Sequence, residues 1–144
     1  LIPILLSSKS LFTLTSLQSK SPKCRSIPST SFWIGYKQNC LENSEILEKI
    51  FIPCSTKDQY VRTYQQSKRR YGARAIVNAG LSVLLDNDAH VQEAGFAFGG
   101  INEVVVRAPK AENFILGKKW GDEDVLKQLL EILCEEFKLS FSAQ

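Results

Sequence analysis

The sequence predicts an α+β fold, a small antiparallel β-meander packed against C-terminal helices. Two patterns carry that expectation. Within Ala75 to Leu85, and again at Ala94, Phe96 and Phe98, apolar residues recur at every second position, the period of a half-buried strand. After Pro109 the period lengthens, and Val125, Leu126, Leu129, Leu130, Ile132, Leu133 and Phe137 form a wide helical stripe that needs a partner. Strands first and helices afterwards is the order of an α+β chain. At 144 residues and 44% hydrophobic, roughly two-thirds of the unfolded surface can be buried, enough for a core without staples.

The elements follow in order. Ile2 to Leu6 reads as apolar, extended material, and Leu11 to Leu17 alternates with high β propensity. Gln18 to Lys23, with Pro22 near its end, reads as a turn or loop, and Arg25 to Pro28 as a short edge strand. Phe32 to Tyr36 is an aromatic cluster interrupted by Gly35. Glu45 to Ile52 is a strand stopped by Pro53, which cannot donate a ladder hydrogen bond. Gln59 to Gln66 sets Tyr60, Arg62 and Tyr64 on one side and Val61 and Thr63 on the other. Ala75 to Leu85 puts its odd-numbered residues on one face, Asp86-Asn87-Asp88 turns the chain, and Val91 to Phe98 resumes the sheet. Gly99-Gly100 breaks the strand before the short Val104 to Val106. Pro109 opens a helix that Gly117 closes, and Asp122, Glu123 and Asp124 open a longer one, their charges matching the positive end of its dipole.

Composition excludes several classes. Eighteen Lys and Arg against 15 Asp and Glu leave +3, too little for a dedicated nucleic-acid binder. No apolar run of about 18 residues indicates a membrane span. Cys24, Cys40, Cys54 and Cys134 lack metal-ligand spacing, and His90 is the sole histidine, so zinc or iron–sulfur ligation has no sequence support. The cysteines read as reduced, mostly buried thiols in an intracellular setting. Residues 1–41 carry Lys9, Lys20, Lys23, Arg25 and Lys37 with no acid, and their serine content leaves a transit segment open. The chain has no methionine and opens on Leu1, and it reads as a piece of a longer protein or a processed product.

Chemistry-bearing residues are scarce. His90 follows a polar turn and reads as a solvated histidine rather than a general base. Asp122, Glu123 and Asp124 are helix-start charges before they are acid–base candidates. Gly99-Gly100 could approach an anion but lacks phosphate-loop spacing. Lys68, Arg69, Arg70 and Arg74, with Tyr71 among them, form the densest cationic cluster. That loop, 68–74, is either a solvated face or a site for an anion or partner protein.

The segments FWIGYKQNCLENSEILEKIFIP, TYQQSKRR, AIVNAG, VQEAGFAFGGI and FILGKKWGDEDVLKQLLEILCEEF together resemble the flavin domain of the xanthine dehydrogenase/aldehyde oxidase molybdo-flavoenzymes. The resemblance implies that residues 1–56 are the end of the FAD-binding subdomain and 57–144 a subdomain like the CO dehydrogenase flavoprotein C-terminal part. It implies a function in which FAD passes electrons from iron–sulfur clusters to NAD or oxygen, with aldehyde oxidase as the alternative parent. The molybdenum cofactor and 2Fe-2S clusters belong to other domains of the family. The glycine-rich loops gripping the FAD pyrophosphate lie in the earlier part of the flavin domain in the family, before the segment resembling Leu1-Ile2-Pro3. A homodimer and a cytoplasmic or peroxisomal location are implied for the full-length enzyme, with no nucleic-acid or membrane partner.

Residue by residue, Leu47 matches a flavin-contacting position, and Gln65 matches one usually held by a lysine that touches FAD. Tyr36 matches a tyrosine near the nicotinamide site. Arg69 and Arg70 match the start of a loop beside the flavin. There the family is acidic where this chain has Tyr71, Gly72, Ala73 and Arg74. The resemblance therefore gives no catalytic residue, Leu47 and Gln65 as cofactor contacts, and Tyr36, Arg69, Arg70 and Gly72 as candidates on the nicotinamide or flavin-loop side. Ser142-Ala143 resembles the approach to a Pro-Gly-Gly segment.

Overall fold

Helix α1 (Ile2–Ser7) lies between two antiparallel sheets. The smaller has the order β2 (Lys23–Pro28), β1 (Leu11–Ser16), β5 (Glu45–Phe51), and a short hairpin of β3 (Trp33–Gly35) and β4 (Gln38–Asn39) accompanies it. The larger is a meander of β6 (Gln59–Ser67), β7 (Ala75–Leu85), β8 (Val91–Gly99) and β9 (Val106–Arg107), each strand antiparallel to the next. Helices α2 (Pro109–Ile115) and α3 (Glu123–Phe137) follow. The structure, a computed structural model, describes residues 1–16 and 23–138. Of the loop expected from Gln18 to Lys23, residues 18–22 lie outside the described residues and Lys23 opens β2, and the Ser142-Ala143 pair also lies outside them.

The meander and the helices share one core. Val83, Val91, Phe96, Ala108, Ala111, Ile115 and Leu129 are buried together, and Phe98 meets Phe137 edge-to-face at 5.2 Å. Glu112 of α2 is buried but satisfied. It accepts from Phe96 N at 2.7 Å and from Arg107 Nε and Nη2 at 2.9 and 2.7 Å, so one carboxylate joins β8, β9 and α2. Asp122 caps α3 by accepting from the amides of Asp124 and Val125, as the acid-rich helix start implies. Asp86 organises the β7–β8 turn. Its Oδ1 accepts from the amides of His90 (2.8 Å) and Asp88 (2.9 Å), and those bonds hold its carboxyl below the usual range.

A second core belongs to the smaller sheet. Leu5, Phe12, Leu14 and Phe32 are buried, with Trp33 and Leu47 packed against them. Phe12, Phe32 and Trp33 meet edge-to-face, with centroids 5.0 to 5.6 Å apart.

Several expectations are corrected. Ile2 to Leu6 is helical, not extended, with Pro3 in the first turn and Leu5 and Leu6 buried. This helix covers the even-numbered face of β7 and packs on β8, so these two strands are covered on both sides rather than on one face alone. Small residues allow the approach. A Cβ built on Gly80 would lie 2.5 Å from the Pro3 carbonyl, and one on Gly95 2.5 Å from the Ser7 carbonyl oxygen. Hydroxyls satisfy the carbonyls at the end of the helix: Ser82 Oγ donates to Ser7 O at 2.7 Å and Ser29 Oγ to Leu5 O at 2.9 Å. The stripe of α3 is narrower than expected. Leu126 and Leu130 are more than half exposed, because α3 rests on α2 and the meander core along one side only. The last strand is Val106–Arg107 rather than Val104 to Val106. The cysteines are free but not buried as a group. Cys24 is on edge strand β2, Cys54 follows β5, Cys134 is on the outer side of α3, and all three are exposed.

Gly80→Ala is expected to lower stability by about 1–3 kcal/mol, because the added methyl meets helix backbone rather than a side chain that can turn away. Urea unfolding measures this, and an unchanged midpoint would mean that α1 is not seated on β7.

The smaller sheet contributes a pH-sensitive link. Arg25 Nε and Nη2 donate to the two carboxylate oxygens of Glu45 at 2.8 and 2.7 Å, and Nη2 also donates to Cys40 O at 2.9 Å. The Arg25 bonds first, and the Glu42 amide second, hold the Glu45 carboxyl at about 2 rather than 4.5, while Arg25 is raised in turn. A depressed carboxyl stabilises the fold fully above its unfolded value and loses that contribution as pH falls through the folded value. Wild type is therefore expected to lose stability more steeply than Glu45→Gln between pH 4.5 and about 2. Superimposable acid-unfolding curves, followed by circular dichroism, would contradict this link.

Candidate functional site

Register places three rows of residues across β6, β7 and β8 on the face that carries α1. They are Val61–Ser82–Gly95, Thr63–Gly80–Ala97 and Gln65–Asn78–Gly99. The helix covers the first row with Ser7 and the second with Pro3. At the third row the helix begins, and a cavity of about 390 Å³ opens there. Its walls are Leu1, Pro3, Ile4 and Ala79 on the apolar side, with Thr63, Tyr64, Gln65 and Asn78 supplying polar groups. That volume lies within the usual range for a small-molecule site.

Two side-chain amides stand together in this row. Gln65 is exposed and points to no fixed partner among the described residues. Asn78 Oδ1 is the buried side-chain polar atom among the described residues that lacks a hydrogen-bond partner. A Cβ on Gly99 would sit 2.3 Å from that oxygen, so the glycine makes room for the amide. An apolar wall beside unspent amides suits a flat heterocycle whose edge alternates N–H and C=O groups.

The other candidates are dispersed. Leu47, opposite Leu14 across β1 and β5, packs against the core around Phe12 and Phe32. Tyr36 is 64% exposed in the β3–β4 turn, with Lys37 Nζ 5.3 Å from its ring centroid. Arg69, Arg70 and Gly72 lie in the β6–β7 connection. Ser67 Oγ donates to Arg69 O at 2.8 Å, and Arg69 Nη2 to Gly72 O at 3.1 Å. Gly72 has φ +60, and Arg70 stacks 5.6 Å from the Tyr71 ring. Of the six candidates, only Gln65 lines the cavity. Pro3, Ile4 and Asn78 were missed by sequence reasoning. Their signal was the run of small or polar residues Asn78, Gly80 and Ser82 on one face of an otherwise apolar strand, which marks a face approached closely by other backbone.

The fold matches known proteins. It superimposes on carbon monoxide dehydrogenase from Hydrogenophaga pseudoflava with a TM-score of 0.79 at 18% identity, covering 91% of this chain and 43% of that one. Residues 62–144 match the CO dehydrogenase flavoprotein C-terminal domain. This chain belongs to that family, within the xanthine dehydrogenase/aldehyde oxidase molybdo-flavoenzymes. Similar proteins include nicotinate hydroxylase hnxS of Emericella nidulans, 40% identical over 120 residues and 81% of this chain. The xanthine dehydrogenase of the same organism is 38% identical over 131 residues and 90% of this chain. The match covers 9% and 10% of those two proteins, so the chain spans about a tenth of their length. Among the described residues of this flavin-domain chain, no helix is long and apolar enough to cross a membrane.

Leu47→Ala is expected to lower the stability of the flavin-free chain by about 2 kcal/mol, since it removes side-chain contacts with a packed cluster. Thermal or urea unfolding without added flavin reads this. Unchanged stability would show a side chain not needed by the core.

Proposed function

We propose that this chain is the rear part of the flavin domain of a xanthine dehydrogenase-like molybdenum hydroxylase, and that the cavity at the start of α1 faces the FAD ring. The observation that carries the reading is the pairing of Gln65 with Asn78 at an apolar cavity, in a chain of flavoprotein family. When bound, FAD supplies the redox chemistry, taking electrons from iron–sulfur clusters and passing them to NAD or oxygen. The chain's own work is binding and orientation. Leu1, Pro3, Ile4 and Ala79 exclude water from one side of the ring, and Gln65 and Asn78 present hydrogen-bonding groups to its polar edge. The unpartnered Oδ1 of Asn78 leans toward Gly99, and by turning the amide toward the cavity it would accept from a ring N–H.

Gln65 is the point of divergence. An amide hydrogen-bonds without adding positive charge, so negative charge on the ring gains less stabilisation than beside a lysine. Leu47 is assigned to the flavin side by the family resemblance, while its side chain packs on the core of the smaller sheet. Tyr36, Arg69, Arg70 and Gly72 are assigned to the nicotinamide or flavin-loop side. The division into 1–56 and 57–144 is supported by the separate cores of the two sheets. In the parent enzyme, assigned to the cytosol or peroxisome, the partners are the remaining domains and a second subunit. An aldehyde oxidase-type parent is the alternative.

No lysine or arginine lines the cavity, so the diphosphate of FAD gains no charged contact there. Riboflavin and FAD are therefore expected to quench in fluorescence titrations with similar affinity, and FAD to be lost on dialysis. A Gln65→Glu, Asn78→Leu variant is expected to weaken both flavins alike. FAD retained stoichiometrically through dialysis, or bound far better than riboflavin, would overturn the assignment of a ring-only contact.

A further inference from the structure

The face of β6 that bears its even-numbered residues carries a second set of groups, which meets the cavity at Tyr64. Tyr60 and Tyr64 are 50% and 60% exposed, and Arg62 lies between them. With Leu81, Val83 and Trp120 they line a groove of about 250 Å³ beyond the cover of α2 and α3. Arg62 Nη1 donates to Val61 O at 2.9 Å, and its guanidinium meets no carboxylate among the described residues.

The same strand is the edge of the four-stranded sheet. It runs nine residues, Gln59 to Ser67, without proline. Among the described residues no strand pairs with its outer side, which leaves a row of backbone donors and acceptors open. Its surroundings are strongly basic. Residues 57–74 hold Lys57, Arg62, Lys68, Arg69, Arg70 and Arg74 against Asp58 alone, a net of +5.

We propose that β6 accepts an acidic, extended segment of a partner protein as an additional strand. Main-chain bonds to the open edge would supply affinity, and an aromatic or apolar side chain in the Tyr60–Tyr64–Trp120 groove would supply specificity. Acidic residues on the added strand would meet Arg62 and the 68–74 loop. Charge selects this occupant over a second copy of the chain. Pairing β6 with β6 would set two segments of +5 side by side, and like charges across adjacent strands are unfavourable. The proposal concerns the open edge of β6 and its Tyr60–Arg62 face and does not rest on flavin binding.

The test uses the 144-residue chain and a fluorescein-labelled peptide of about ten residues in which aspartate alternates with phenylalanine or threonine. Fluorescence anisotropy should show saturable binding that salt weakens. The same peptide with alternate backbone nitrogens methylated keeps its charge but cannot pair with an edge, and should bind about tenfold more weakly or less. Arg62→Glu should weaken the acidic peptide and strengthen its lysine counterpart, and Tyr60→Ala should weaken both. These positions are exposed, so the fold should persist in each variant by circular dichroism. Equal binding of the methylated peptide would overturn strand addition and leave only diffuse charge attraction. Absence of saturable binding would overturn the proposal outright, leaving the basic edge as protection against aggregation.

Discussion

The backbone of α1 is seated directly on the backbone of the meander, and the rest of the arrangement depends on it. Pro3 sits over Gly80 and Ser7 over Gly95, at distances that leave no room for even one methyl group. A six-residue helix is too short to persist on its own. It is held by burial of Leu5 and Leu6 and by two serine hydroxyls that take its last carbonyls, Ser29 from the smaller sheet and Ser82 from the meander. One short helix thereby ties two otherwise separate hydrophobic cores, with Lys9 and Glu93 pairing at 2.5 Å just beyond its end.

The cavity is a consequence of that seating. Successive rows of the sheet run under the helix, and the helix starts before the last of them is covered. Gln65, Asn78 and Gly99 form that uncovered row. Gly99 lacks a side chain where the Asn78 amide leans, which is why the amide is both buried and unpaired. A buried acceptor without a donor costs about 1–3 kcal/mol. Such a cost is tolerated most readily where a ligand removes it, the basis for reading the row as a binding edge.

Much of this was legible in the sequence. Strand alternation from Gln59 onward, the turn at Asp86, Pro109 opening α2 and Asp122 capping α3 are local signals, each set by a few adjacent residues. What stayed hidden was non-local. Ile2 to Leu6 carries no pattern that separates a short helix from a strand, and its state is fixed by Gly80 and Gly95, far along the chain. The exposure of Leu126 and Leu130 depends on how far α2 reaches along α3, which no periodicity encodes. For the site, residue type pointed to Gln65 only through resemblance, and the cavity's other members belong to elements whose meeting is a matter of topology.

Strand β6 shows how alternation separates two roles within nine residues. Its odd-numbered side chains, Val61, Thr63 and Gln65, face α1 and the cavity, while Tyr60 and Arg62 face the opposite groove and Tyr64 borders both. A slip of one residue in register would exchange the two sets, placing an arginine and bulky rings against the α1 backbone and an amide in the groove. The tight fit of Gly80 beneath Pro3 fixes β7 under α1, because a shift of β7 would offer the helix a neighbour with a side chain, and β6 takes its two faces from its pairing with β7. The seating of the helix thus fixes not only the cavity but also which residues the far face can present.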